Sequence, residues 1–578
     1  MTHSPATRRG YDRRPRVNAG DAGSCDVGWE AIAQRLRGVR IVVVETYPGV
    51  RDADMAQLAH ALGAGTVVDA AAMLLPPDVV DDVTRRWVTD DPVFGRITEL
   101  VLDDLIDGGA RDGLRARIAG ADGRVLVHGV GASMLVDSGG LVYADMPRWE
   151  ATLRQRGGQN PNLGLRNSDH PAAAKYKRAF FVDWRVADRH KRTLWDRAAF
   201  FLDTTDPDTP KMVATESLLE ALHTAARRPF RVVPYFDPAP WGGRWMQEVM
   251  DLRRDEPNLG WCFDCVPEEN SLLLGYGTHD VEIPAIDLVF REPRALLGEA
   301  VHGRFGAEFP IRTDFLDCMD GGNLSIQVHP LTEYARREFG IAYTQDESYY
   351  ILDAAPGATV HLGLTEGTDP ALMAAELHRS EGTGGFPYER FVNRFPAAKH
   401  DHFLIPAGTV HGSGRNTMVL EISATPYIFT FKLYDWDRPG LDGRPRPLHV
   451  ERGLANVQWH RDTGYALEHL VNRVTPIAEG LGWREEATGL HEAEFIETRR
   501  HWFTSSVPHS RTGSVEVLNL VEGDAAVVES PDAAFDPFEV HYAETFIVPA
   551  AAGPYTVTPR GEPGSVHATI KAYVRVRG

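Results

Sequence analysis

Residues Leu324 to Pro330 read LSIQVHP, and this run decides the fold of the larger part of the chain. Apolar and polar positions alternate, as in a β-strand with one face turned inward. Gln327 and His329 stand two apart and so project from the same face, with Ser325 beside them. An inward-facing strand position is normally apolar, because a polar group leaving water without a partner costs free energy. Three polar side chains on one such face need a reason. A lone strand histidine is usually a hydrogen-bonded core residue, so QVH alone identifies nothing.

The neighbouring segments supply the reason. Glu347 opens the next β run, ESYYIL, and His411 follows IPAGTV, a Pro-Ala-Gly turn that delivers the chain into another strand. Two imidazoles, a carboxylate and an amide oxygen suit a borderline divalent ion such as Zn²⁺. Gln327, His329, Glu347 and His411 are therefore candidate metal ligands. A set that leaves positions open to water or substrate is catalytic rather than structural. Around it, short strands recur: SLLLGYG, TVHLGL, DHFLIPAG, MVLEISA and IFTFKLYDW. DPALMAAELHRSEG and YERFVNRF read as helices inserted among them, over about residues 368–397. From Gly480 onward WFTSSV, VEVLNLVEG, AAVVE, ETFIVPA and TIKAYVRV predict a second β unit.

Upstream the character changes. From Trp29 to about Arg228, strand candidates RIVVVE (40–45), RVLVH (124–128) and AFFVD (179–183) alternate with helical patterns. Those patterns lie at Asp54 to Leu62, Phe94 to Ile106, Ala187 to Phe200 and Ala214 to Ala226. Strands separated by helices predict a parallel sheet with helices on its faces. The polar stretch Arg154 to Pro171 reads as a loop or insertion. Residues 1–28 are basic at the start, lack the apolar core of a secretory signal, and read as a disordered tail.

At 578 residues the chain exceeds one hydrophobic core, and 54 glycines and 38 prolines suit a turn-rich β architecture. A formal charge of −20 disfavours nucleic acid and anionic membranes as partners. No apolar run approaches a membrane span. Four cysteines are too few for a disulfide framework in a chain this long, so a reducing cytoplasm is expected. Cys262 and Cys265 form a CxxC with no second pair at zinc-ribbon spacing and read as bystanders.

Residues 234–440 resemble type I mannose-6-phosphate isomerase, a zinc enzyme of the cupin superfamily. The resemblance rests on PAPWGG (Pro238 to Gly243), LSIQVHP, ESYYIL, FLIPAGTVHGSG, LEIS and KLYDWDR, in that order. It continues weakly to the end of the chain, where HYAETFIVPAAAGPYTV (His541 to Val557) is similar to the family's second cupin, without metal residues. It implies metal ligation by Gln327, His329, Glu347 and His411, and a phosphorylated hexose as substrate. The implied fold is an α/β parallel-sheet domain (29–230) followed by two cupin-type β-barrel, or jelly-roll, domains (231–465 and 466–578). The reaction would interconvert mannose 6-phosphate and fructose 6-phosphate. Glu421, in MVLEIS, matches the glutamate proposed as proton shuttle; an ordinary role orienting a metal ligand remains open. Lys432 is the candidate cation beside the oxyanion or phosphate, with pairing to an acidic side chain as the alternative. Two positions depart from the family: Gln345 and Lys432 stand where it has Lys and Arg. Lys keeps the charge but loses the planar fork of Arg.

The first domain faintly resembles P-loop kinases of the uridine-kinase type. A phosphate cradle requires GxxxxGK[ST], and here Gly49 is followed by VRDADM. A degenerate, structural or regulatory module is expected. Arg185, Arg189, Arg192 and Arg197 form either a lid-like arginine set or a solvated helix face. The alternatives to an isomerase are a bifunctional protein whose first domain transfers phosphate, and a non-catalytic sugar-binding cupin.

Overall fold

The computed structural model describes residues 8, 10–21, 24–137, 139–424, 427, 429–489, 491, 494–509 and 512–576. Ile41–Thr46 lies inside a seven-stranded sheet, between Val125–Gly129 and Gly140–Asp145, both parallel to it. Thr66–Asp69 and Phe200–Asp203 extend the parallel part on either side. Val42 and Val44 pack with Ile32, Leu36, Met55 and Leu58 on one face, while Val43 joins Val125, Val127 and Leu218 on the other. Burial on both faces explains why the strand is a continuous β-branched run.

The turn after this strand is filled by the protein itself. The Tyr47 hydroxyl donates to Asp188 at 2.9 Å, and the Lys191 ammonium lies 4.7 Å above the Tyr47 ring. Lys191 also donates to Asp145 at 2.9 Å and to Asp287, of the following β unit, at 2.7 Å. Gly49 has φ 118°, and a Cβ there would come within 2.8 Å of Ala151. The turn is thus pressed against the helix Arg148–Arg156.

The first β unit has two antiparallel sheets. One runs in the order His402–Ile405, Glu347–Ala354, Thr417–Ser423, Arg312–Asp317, Trp261–Cys265, Tyr235–Asp237. The other runs Val392–Pro396, Thr359–Leu364, His411–Ser413, Ile326–Val328, Phe431–Tyr434. They share a core in which Leu316, Tyr349, Phe403 and Val419 meet Leu324, Val360 and Leu362. The last unit repeats the scheme with six and four strands, joined through Leu518, Leu520 and Phe546 against Val528, Val540 and Val557.

Several expectations need correction. Each β unit is a pair of open sheets rather than a closed barrel, since the described strands of every sheet end at an edge. In the expected tail, Arg16–Gly20 pairs in parallel with Ser271–Tyr276, and Cys25–Val27 pairs with Lys211–Ala214; residues 1–7, 9, 22 and 23 lie outside the described residues. AFFVD is a π-helical segment, Ala179–Asp183, between the helices Ala172–Arg178 and Trp184–Lys191. All five of its residues are buried, and a short buried apolar run has no periodicity to separate helix from strand. Phe94 to Ile106 holds only the 3₁₀ turn Leu102–Leu105. The helical insertion is Pro370–Thr383 alone, because YERFVNRF becomes one turn, Tyr388–Arg390, and the edge strand Val392–Pro396.

Of the four arginines of the expected lid, Arg185, Arg189 and Arg192 line one cavity together with Arg148 and Glu308, and Arg197 lies apart from it. Arg189 donates to Thr98 and Leu100 carbonyls, Arg197 to that of Ser133, and Arg185 and Arg192 cover the Phe180 and Phe290 rings. The four cysteines are free and buried. No described helix is long and apolar enough to cross a membrane.

Candidate metal centre

Two adjacent strands and two turns bring the expected ligands together. Gln327 and His411 face each other directly across the antiparallel pair Ile326–Val328 and His411–Ser413. His329 follows the first of these strands, and Glu347 begins its own strand on the opposing sheet. Each imidazole is fixed by a backbone carbonyl. His329 Nδ1 lies 2.9 Å from the Phe429 oxygen, and His411 Nδ1 lies 2.8 Å from that of Thr409. A carbonyl can only accept, so both Nδ1 atoms carry a proton, and in the neutral ring Nε2 presents a lone pair.

Those lone pairs converge on one carboxylate. His329 Nε2 is 3.0 Å from Glu347 Oε2, and His411 Nε2 is 2.8 Å from Oε1. The three ligand atoms lie within 4.8 Å of one another. His329 Nε2 and Glu347 Oε1 are buried without a hydrogen-bond partner. Burial also pushes the His411 pKa down, which favours the neutral ring. Electron pairs facing each other in a buried site repel unless a cation lies between them. The donor chemistry fits a divalent metal ion, held by His329, Glu347 and His411. Among the described residues this is the one such cluster of three or more His, Cys, Asp or Glu.

Gln327 stands beside the trio. Its amide nitrogen is 3.2 Å from His411 Nε2, while Ser325 donates to its oxygen at 2.8 Å. Rotating the amide by half a turn directs the oxygen toward the centre. Gln345, the departure noted above, donates to Glu347 Oε2 at 3.1 Å and accepts from the Phe429 amide at 2.9 Å. It orients the carboxylate. Lysine there would add a charge that the amide lacks.

A cavity of about 290 Å³ adjoins the cluster and is lined by Gln327, Gln345, Glu421, Arg312, Lys432 and Arg446, among others. Glu421 lies on the strand between those of Glu347 and Arg312. Burial raises its pKa well above the usual range, the Asp314 and Glu347 carboxylates raise it further, and Arg312 opposes them. Lys432 is paired with Gln327 across the sheet. Its ammonium has no hydrogen bond or ion pair with a described residue, and the acidic side chain that acts on it by charge is Asp435. Burial pulls its pKa down to about 8, with Arg446 as the next cause.

Sequence reasoning missed Arg312 and Asp314, joined by a 3.1 Å hydrogen bond beneath Glu421. Their alternation in RTDFLD carried the signal. It missed entirely that Trp149, Arg156 and Tyr176, from the first domain, also line the cavity.

Residues 28–227 match a family model described as a domain of unknown function (DUF8485). The chain is 28% identical over 216 residues to the mannose-6-phosphate isomerase of Streptococcus mutans, covering 37% of this chain and 63% of that protein. It is 30% identical over 153 residues to the mannose-6-phosphate isomerase ManA of Bacillus subtilis, covering 26% and 45%. These alignments therefore span less than two thirds of either relative's length. The crystal structure of a mannose 6-phosphate isomerase from Bacillus subtilis superposes with a TM-score of 0.50 at 20% identity, over 60% of this chain and 100% of that one. That likeness is one of fold.

Proposed function

We propose that the chain is a zinc-dependent aldose–ketose isomerase that interconverts mannose 6-phosphate and fructose 6-phosphate. The observation that carries this reading is the convergence of two imidazole Nε2 atoms and a carboxylate beside a cavity lined by the Glu421 carboxyl and the Lys432 ammonium. The similarity to mannose-6-phosphate isomerases supports the choice of sugar.

The reaction moves a proton between C1 and C2 while the attached oxygens exchange carbonyl and hydroxyl character. A bound Zn²⁺ supplies Lewis acidity toward those oxygens. Glu421 takes the proton from one carbon and returns it to the other. Its pKa is raised above the ordinary carboxylate range by burial, which makes the carboxylate a stronger base toward a carbon-bound proton. Asp314, opposite Glu421 across the strand pair, raises its pKa, and Arg312 opposes that effect. Lys432, next to Gln327, offers its ammonium to the charge that develops on oxygen, and Arg446 adds positive potential for the phosphate. The filled turn at Tyr47 and Lys191 supports a structural rather than phosphate-transferring first domain.

A coupled assay of the metal-replete chain on several hexose phosphates tests this. Turnover of mannose 6-phosphate above the other sugars is expected. Absence of turnover with every hexose phosphate would refute it.

A further inference from the structure

One wall of the cavity comes from the first domain, and it is built rather than incidental. The helix Arg148–Arg156 is pinned to the edge strand Tyr235–Asp237 by two parallel bonds, from Arg156 Nη1 and Nη2 to the Asp237 oxygens at 2.8 Å each. On that anchor Trp149 stacks on Tyr235, with ring centroids 4.2 Å apart and planes 19° apart. The stack continues to Phe263 at 4.6 Å and to Trp261 at 5.4 Å. All four rings line the cavity.

Glu269 sits in the same wall and is held from both sides. Tyr176, of the first domain, donates to Oε1 at 2.6 Å, and Tyr235 donates to Oε2 at 2.6 Å. The Trp149 amide donates to the Glu269 carbonyl at 3.3 Å. A carboxylate has about four acceptor sites, so two remain after the tyrosines are served. Glu269 lines the cavity, and no other described side chain donates to it. A rigid carboxylate with spare acceptor capacity beside flat aromatic surface is the chemistry that binds sugar hydroxyls and the apolar C–H face of the ring or chain.

The position is also right for a second contact region. From the Glu421 strand, the edge strand of Tyr235 is three strands away, by way of Arg312–Asp317 and Trp261–Cys265. At about 4.8 Å per step that is roughly 14 Å from the metal end of the cavity. The wall therefore meets the part of a ligand remote from the metal.

We propose that the two domains jointly form a sugar-binding subsite in which Glu269 accepts substrate hydroxyls and Trp149, stacked on Tyr235 with the Arg156 guanidinium 5.0 Å over its ring, turns its edge to the apolar part of the ligand. Tyr176 is a positioning residue that fixes the Glu269 carboxylate. The ligand class, a monosaccharide phosphate, rests on the isomerase reading; the subsite itself rests on the geometry of the wall.

The test uses the full chain with zinc bound and the variants Glu269→Gln, Tyr176→Phe and Trp149→Ala. Turnover of mannose 6-phosphate is measured, together with the Kd of mannose 6-phosphate and of inorganic phosphate by tryptophan fluorescence and calorimetry. In Glu269→Gln, KM and Kd for the sugar phosphate should rise about 10-fold or more, the usual effect of losing a hydrogen bond to a charged group. Tyr176→Phe should give a smaller rise of the same kind. Zinc content, kcat and the Kd of inorganic phosphate should stay near wild type, which a merely structural defect would not leave intact. Trp149→Phe should recover much of what Trp149→Ala loses. If the wild type isomerises but none of the variants changes KM or Kd, the subsite is overturned and the isomerase reading stands. If the wild type binds the sugar phosphate without turning it over and the variants weaken that binding, the subsite stands and the isomerase reading falls. If the wild type neither binds nor converts any hexose phosphate, both fall.

Discussion

His411 Nε2 stands 2.8 Å from Glu347 Oε1, while the Nδ1 hydrogen of the ring is committed to the Thr409 carbonyl. With the ring neutral, both facing atoms are acceptors, an arrangement that a bound cation relieves.

Metal should therefore stabilise the fold. The ligands come from both sheets of the first β unit, and a ligand that binds only the folded chain adds about 2.7 kcal/mol when present at 100 times its Kd. Chelation should lower the thermal midpoint by several degrees, and added Zn²⁺ should restore it. In His329→Ala or His411→Ala, chelation should have no further effect. Calorimetry of the three proteins checks this, and an unchanged metal content in either variant would remove the assigned ligands.

Glu421→Gln keeps the shape of the side chain and removes its basicity. Turnover should fall by about 10²–10⁴, the usual contribution of a general base, while bound metal and KM change little. A role in orienting a ligand predicts instead a weaker metal site, by about 10–100-fold, with activity recovered by excess zinc. Metal titration alongside turnover separates the two.

Lys432 should impose a pH limit on substrate binding. Its pKa is pulled down to about 8, so the ammonium is present below that pH and lost above it. KM for an anionic sugar phosphate should accordingly rise as pH passes about 8. The break should vanish in Lys432→Met, whose KM should be high at all pH values. The stability sign is opposite. A lysine whose folded pKa lies below its unfolded value penalises folding at low pH, and the penalty fades as pH rises through about 8 toward 10.5. Lys432→Met should therefore be no less stable than wild type at pH 7, as a denaturant titration would report.

The full chain should transfer no phosphate from ATP to a hexose or nucleoside at enzymatic rates. The turn Tyr47 to Val50 is occupied by the Tyr47 ring and Lys191, and no Lys or Ser/Thr follows Gly49 to hold phosphates and Mg²⁺. Mg²⁺-dependent transfer in a radiolabel assay would overturn this.

Much of the metal cluster was legible in the sequence because strand alternation is a local code. QVH puts two polar side chains on one face, and a Pro-Ala-Gly turn ending in His marks another strand entry. The αβ alternation of the first domain was legible for a different reason, because RIVVVE and RVLVH are continuous runs rich in β-branched residues set between helical patterns. What failed was either non-periodic or non-local. AFFVD is buried all round and so carries no period, which hid its π-helical form. Arg16–Gly20 forms a strand only because Ser271–Tyr276, far along the chain, offers an edge. The cavity wall was invisible for that second reason. Nothing near Trp149 or Tyr176 announces that they will meet Tyr235 and Glu269, since that contact depends on how the first domain docks against the sheet edge.

The account stands most directly on whether metal at His329, Glu347 and His411 drives proton transfer at a sugar carbon. NMR of mannose 6-phosphate in D₂O measures this as exchange of the C2 proton with solvent. With the zinc-loaded chain, exchange should accompany formation of fructose 6-phosphate, stop on chelation, return with added zinc, and be absent from His411→Ala at any zinc concentration. Exchange at the same rate in the chelated protein or in His411→Ala would contradict the account.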